Sequence, residues 1–313
     1  MNFEKLDIRD AFFKSLHKLA LKDKNLILIT DDLDAFELRR FKKDFPKQFI
    51  NIGVSEQNLI DVAAGLSSAG KKVFVFGISS YITMRCYEQI KFSVCSMDLP
   101  VTIIGLGCGF SFPFDGPTHH AVSDLAIMRL LPEMTIFNPS DSYSAFAAAR
   151  VAYKNKGPVY IRLDKGIFPP TYKNMNEVSM GGKILRALRK VNLISMGIMT
   201  FEGVRVADQL QKGGYGIGVV DIFRIKPINK VFISRVAKAS EEIVILEENN
   251  KSGNLGTIVI EVLTDDQISK KIHRLSLPDK QLFKYGSRKW LQKLNGLDNK
   301  TLISRLRHIC KNY

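Results

Sequence analysis

The sequence predicts an α/β protein of two tandem domains, each a mostly parallel sheet with helices on both faces. Three observations carry that expectation. Short apolar runs bounded by charges alternate with stretches whose apolar residues recur at helical spacing. A Pro- and Gly-bearing interval, KGIFPPTYKNMNEVSMGG, interrupts the alternation once. The 313 residues suffice for about two domains with substantial cores.

In order, IRDAFFKSLHKLAL reads as a helix and NLILIT as a buried strand, because apolar spacing changes from helical to continuous between them. FINIGV is strand-like. A helix over 55–69, strand KKVFVFGIS, a helix over 84–97 and strand LPVTIIGLG follow. Then come a helix over 121–130, strand MTIFNP, a helix over 141–154 and strand PVYIRL. Strands this uniformly apolar are covered on both faces, as in parallel sheets. The first domain is expected over 1–170, a linker over 171–184 and a second domain over 185–313. In the second, VNLISMG, GIGVVDIF and EIVILEE read as strands, with helices over 201–213, 229–239 and 254–263. No repeat or low-complexity tract interrupts either half.

Composition narrows the classes of function. Lys and Arg number 46 against 31 Asp and Glu, a net charge of +15, but the basic residues are scattered and no aromatic-interleaved basic motif occurs. No nucleic-acid partner is expected. The four cysteines form no C-x-x-C pair, and no run of about 20 apolar residues offers a membrane span. A soluble, cytoplasmic protein without a membrane partner is expected.

Two stretches carry chemistry. In GVSEQNL, Glu56 follows a cap-type Ser55, with Val54, Leu59 and Ile60 around it. A first-turn acid complements a helix dipole, which alone explains many such residues. This one also lies beyond the carboxyl end of a strand, where open α/β sheets collect ligands. In FDGPTHH, a turn-forming Asp-Gly-Pro leads to His119 and His120 ahead of a helix. Their spacing is not that of a metal motif, so no metal ligand is expected in this chain.

GVSEQNLIDVAAGLSSAGKKVFVFGISSYITMRCYEQIK, FDGPTHHAVSDLAIMRLLPEMTIFNPSD and GPVYIRLDKG resemble, in order and spacing, the pyrimidine-binding domain of transketolase. VVDIFRIKPINK and VILEENNKSGNLGTIVIEVL resemble the transketolase C-terminal domain. The Gly-Asp-Gly and downstream Asn that hold Mg²⁺ and diphosphate in that family are missing, so the chain looks like the C-terminal half of a split transketolase. The resemblance implies a subunit transferring a two-carbon ketol unit from a ketose to an aldehyde or keto-sugar acceptor in carbohydrate metabolism. Thiamine diphosphate would be the cofactor, with Mg²⁺ ligands on the partner chain. That partner would be the N-terminal, diphosphate-binding subunit, and this chain would form a homodimer of itself within a heterotetramer.

The same resemblance assigns residues. Glu56 would share a proton with N1′ of the aminopyrimidine, and Tyr81 would stack on that ring, Ile82 being the alternative. Asp32 and Leu33 would lie beside the thiazolium. His119 and Asp115 would contact substrate oxygens, Arg85 would face an anionic substrate, and Arg9 and Arg162 would hold a sugar phosphate. Gly107 stands where many transketolases have a histidine, and Pro113–Phe114 replaces Gly-Glu. An acceptor site more apolar than usual is therefore expected. Two alternatives share the fold: the beta subunit of a 2-oxo acid dehydrogenase first component, against which D-G-P-T-H argues, and a non-catalytic subunit. Joint retention of Glu56, Asp115 and His119 argues against the second.

Overall fold

The computed structural model describes residues 2–311. The chain divides into two units, Met1–Cys108 with Ile127–Lys173, and Gly109–Ala126 with Asn174–Tyr313. In the first, strands β1 (Leu26–Thr30), β2 (Phe49–Asn51), β3 (Lys72–Ile78), β4 (Thr102–Leu106), β5 (Thr135–Phe137) and β6 (Val159–Leu163) lie in the order β5-β6-β4-β3-β1-β2. Each neighbouring pair is parallel. Every residue of β1, β4 and β6 is buried, as their uninterrupted apolar runs require.

Helix α1 (Ile8–Ala20) starts at Asp7, whose carboxylate accepts the Arg9 N–H at 2.8 Å. Its apolar face, Ile8, Ala11, Phe12, Leu16 and Ala20, is buried, and it packs against the helix Ser142–Lys154. That partner helix presents Ala145, Ala148, Ala149 and Ala152, small enough for close approach, and begins at a capping box of Asp141 and Ser144. Helix α2 (Phe36–Asp44) precedes β2, and α3 (Glu56–Ser68) follows it.

The second unit contains β7 (Gly182–Arg186), β8 (Val191–Ser195), β9 (Gly218–Ile222), a short β10 (Arg224–Lys226), β11 (Glu242–Asn250) and β12 (Lys271–Leu277). Its sheet runs β12-β11-β8-β9-β7, parallel except that β7 pairs antiparallel with β9. Glu247 of β11 is buried and accepts the Leu255 and Gly256 N–H groups at the start of the helix Leu255–Asp265; burial pushes its carboxyl up to about 7.

Three expectations are corrected. The helix over 84–97 is instead α4 (Ser79–Met84), a turn at Tyr87–Gln89 and a π-helical stretch Ile90–Cys95, where wider-spaced bonds such as Ser96 N–H to Lys91 O replace the α pattern. The linker over 171–184 is not loose. Thr171 Oγ1 and the Tyr172 N–H donate to Asp141 at 2.7 and 2.9 Å, Met175–Ser179 is helical, and β7 starts at Gly182. Finally, Gly109–Ala126 belongs to the second unit although it lies within the expected first domain. Phe110 joins that unit's core beside Leu193, Leu246 and Leu291, and the Asn250 N–H donates to Val122 O at 3.0 Å. Among the described residues, no helix is long and apolar enough to cross a membrane.

Candidate active site

The parallel strands of the first unit put their carboxyl ends on one edge, and the residues immediately after β1, β2 and β3 gather there. After β1 the chain turns sharply. Thr30 Oγ1 accepts the Leu33 N–H at 3.2 Å, Asp32 takes a left-handed φ of 70°, and Asn51 Nδ2 donates to Asp32 Oδ1 at 2.9 Å. Aspartate is among the few residues that tolerate such a φ, and held conformations of this kind favour ligand sites. Asp32 and Leu33 line a groove of about 370 Å³ with Thr30, Leu38, Lys42 and Asn51.

After β2, Gly53 turns the chain at φ 74° and Glu56 opens α3. Its carboxylate is only 5% exposed and accepts Arg85 Nη1 at 2.9 Å. The Arg85 guanidinium in turn lies 3.9 Å from the centre of the Tyr81 ring. Glu56, Tyr81 and Arg85 therefore form one cluster, assembled from the starts of α3 and α4. Ile82 is fully buried over Gly77, whereas Tyr81 is half-buried, so Tyr81 is the one with ring surface to offer.

Several local expectations change. Ser55 does not cap α3: its hydroxyl donates to Ile52 O at 3.2 Å, directed back along the incoming strand. Val54 is 73% exposed, and the apolar surroundings of Glu56 come from Leu59 and Ile60. Arg85 is spent on Glu56 and Tyr81 rather than held open for an anion. Arg162 is only 3% exposed within β6, whereas Arg9 lies at the start of α1 and bonds Asp7 at 3.1 Å. The loop after β6 docks beside Arg9, with the Ile8 N–H donating to Gly166 O at 3.0 Å, but Arg162 itself presents no open face.

Sequence reasoning passed over Asp31, beside Asp32. It is buried, and burial, reinforced by the neighbouring Glu56 charge, pushes its carboxyl up to about 7. The nearby Cys86 thiol is pushed up to about 12, chiefly by burial, and is inert as a nucleophile. An Asp-Asp pair after a buried strand was the available signal.

In the second unit, Asp115 is exposed and the short turn Gly116–Thr118 leads to His119. His119 is partly exposed and shares a hydrogen bond between its Nδ1 and Thr118 Oγ1 at 3.0 Å. His120 is buried edge-on to Phe110, and burial holds its imidazole below the usual range against the pull of Glu248. Glu248 anchors this segment. It accepts the Phe110 N–H at 3.0 Å, Arg288 Nη2 at 2.6 Å and Gln292 Nε2 at 2.6 Å. Truncating it strands three donors in a buried setting, so Glu248→Ala is expected to destabilise the chain by about 3–5 kcal/mol in urea unfolding.

Family comparison agrees with this arrangement. Residues 4–170 match the transketolase pyrimidine-binding domain and 181–302 the transketolase C-terminal domain. The chain belongs to the transketolase family. A putative transketolase C-terminal section from Methanocaldococcus jannaschii is 32% identical over 303 residues, covering 96% of this chain and 95% of that protein. One of the subunits of apulose-4-phosphate transketolase from Phocaeicola vulgatus is 30% identical over 277 residues, 88% of each chain. Among solved structures, the inactive β4 tetramer of a split-gene transketolase superposes with a TM-score of 0.86 at 30% identity, covering 97% of this chain and 98% of its own. The transketolase fold and its two-domain organisation are thus shared with proteins of similar length.

Proposed function

We propose that this chain is the catalytic-acid subunit of a split, thiamine diphosphate-dependent transketolase, moving a two-carbon ketol unit between sugars. The observation that carries the reading is the buried Glu56 carboxylate at the carboxyl edge of a parallel sheet, ion-paired to Arg85 and beside the half-buried Tyr81. That donor set fits the aminopyrimidine half of the cofactor: an acid for a ring nitrogen and an aromatic face for the ring. Thiamine diphosphate, when bound, supplies the carbon that carries the two-carbon unit. Glu56 would hold or release a proton at N1′, Tyr81 would bear the ring, and the Asp32–Leu33 turn would flank the thiazolium. His119 and Asp115 would orient substrate oxygens as charge develops on them.

For the diphosphate and Mg²⁺ the fit lies elsewhere. Among the described residues no group of three or more His, Cys, Asp or Glu side chains could hold a metal, and the split relatives point to a second chain for that role. An N-terminal subunit is the proposed partner, two copies of each chain forming a heterotetramer.

Arg162 is buried, Arg85 is paired, and Phe114 is exposed beside Asp115, which supports an acceptor less dependent on phosphate than an ordinary pentose phosphate. Ribose 5-phosphate is expected to turn over poorly in the reconstituted pair. Side-by-side assays with ribose 5-phosphate and nucleotide-linked keto sugars test this, and efficient use of ribose 5-phosphate would remove the specialised acceptor. Absence of any ketol transfer by the pair, with every donor tried, would favour a non-catalytic subunit.

A further inference from the structure

Asp31 is a carboxyl at the catalytic edge to which none of the assignments above gives a role. It is 6% exposed, and its Oδ1 has no hydrogen-bond partner. Its Oδ2 lies 2.7 Å from where a Cβ on Gly77 would stand, and Ile82 Cδ1 closes on the same point at 2.9 Å. The side chain thus occupies a space that only a glycine in β3 leaves open, against an apolar wall. The charged and titratable groups around it are Glu56 from α3, Asp32 from its own turn, and Arg85 and Cys86 from the segment after α4. The cation of that group is already engaged by Glu56, at 2.9 Å. Two buried carboxyls facing one engaged guanidinium carry an excess negative charge unless a proton is retained.

We propose that Asp31 is a positioning residue for Glu56: the two carboxyls hold one proton between them, which keeps Glu56 paired with Arg85 while a proton remains stored at the same edge. The role rests on the reading of Glu56 as the acid of the thiamine site, but the shared proton does not. At neutral pH either Asp31 carries the proton and Glu56 is the carboxylate, or the reverse, and the group facing the aminopyrimidine can change state without a net charge appearing in the buried edge. When Glu56 gives up its proton, a protonated Asp31 lowers the local repulsion; when Asp31 is ionised, Glu56 holds its own proton more strongly.

The linkage has a definite sign. Burial and the Glu56 charge raise Asp31 to about 7 in the folded chain, above its ordinary value of 3.8. Between those values the folded chain binds more protons than the unfolded one, so this group's contribution to stability is present in acid and lost as pH rises towards 7. Asp31→Asn cannot titrate. The melting temperature of Asp31→Asn minus that of the parent is therefore expected to climb from about pH 4 to about pH 7 and then level off.

The direct test is carboxyl ¹³C NMR of the full chain, labelled at aspartate, without cofactor. A resonance titrating near neutrality in the parent and missing from Asp31→Asn is the expected result; all aspartates titrating below about pH 5 would overturn the proposal. The parent titration stands even if Asp31→Asn fails to fold. In the reconstituted enzyme, Asp31→Asn should displace the pH–kcat profile with the acceptor KM unchanged, whereas an equal loss at every pH would mean a structural role only. If the neutral titration is found but Glu56→Gln is fully active, the thiamine reading falls and the shared proton survives. If Glu56→Gln is inactive and no aspartate titrates near neutrality, the reverse holds.

Discussion

Glu56→Gln is expected to lower ketol transfer by the assembled enzyme by about two to four orders of magnitude while leaving the chain folded. The glutamine retains an oxygen for Arg85 Nη1, which donates to Glu56 Oε1 at 2.9 Å, so the cluster keeps its shape. What disappears is the proton equilibrium. An amide can neither give a proton to a ring nitrogen nor take one back, and a contribution of that size is typical of a positioned acid or base. Stability should change little, because Arg85 is itself half-exposed and can be resolvated after losing its counter-charge. Removing the Glu56 charge also relieves Asp31, whose carboxyl should move back towards its ordinary range. H/D exchange at C2 of the bound cofactor separates the chemical step from substrate binding. Parent-like exchange in Glu56→Gln would reduce Glu56 to a helix-start acid with a structural partner.

The same cluster marks how far the sequence could be read. The position of Glu56, beyond a strand and at the start of a helix, was legible because β2 and α3 are local features with a clear change of periodicity. Its partner was not. Arg85 lies 29 positions away, and the pairing depends on how α3 and α4 meet over the sheet edge. Asp31 was missed for a related reason: its burial follows from Gly77 and Ile82 on other elements, and nothing in TDDLD alone distinguishes its two first aspartates. The buried strands and the long helices of the first unit were readable from apolar runs. Helix α2 was hidden by its charges, FELRRFKKD burying only Leu38 and Phe41 among its apolar residues. The helix Asn299–Cys310 was readable in principle, since Leu302, Leu306, Ile309 and Cys310 recur at helical spacing. Assignment of Gly109–Ala126 to the second unit was beyond any local rule, because it depends on the buried Glu248 and Phe110 more than 100 residues apart.

This chain alone is expected to be inactive and to hold thiamine diphosphate weakly, with both properties appearing only when the diphosphate-binding subunit is added. The cluster around Glu56 and Tyr81 offers an acid and an aromatic face, which suit a neutral pyrimidine ring. The cofactor's other end carries the charge. Mg²⁺ favours about six oxygen ligands, usually one or two carboxylates with waters and the phosphates themselves. The described residues gather no set of three or more His, Cys, Asp or Glu that could supply such a site. Most of the cofactor's binding free energy should then come from groups outside this chain, and the exposed Val54 two residues before Glu56 is consistent with an edge completed by another surface. The split-gene relative whose β chains form an inactive tetramer behaves in the expected way. Calorimetric titration of thiamine diphosphate with Mg²⁺ into the purified chain, then into an equimolar mixture with its N-terminal partner, measures the difference directly. Affinity should rise at least about 100-fold on mixing, equivalent to about 2.7 kcal/mol, with ketol transfer appearing in the same mixture. Tight Mg²⁺-dependent binding and turnover by this chain without a partner would mean that the diphosphate is held by groups of its own, and the split-enzyme reading would have to be abandoned.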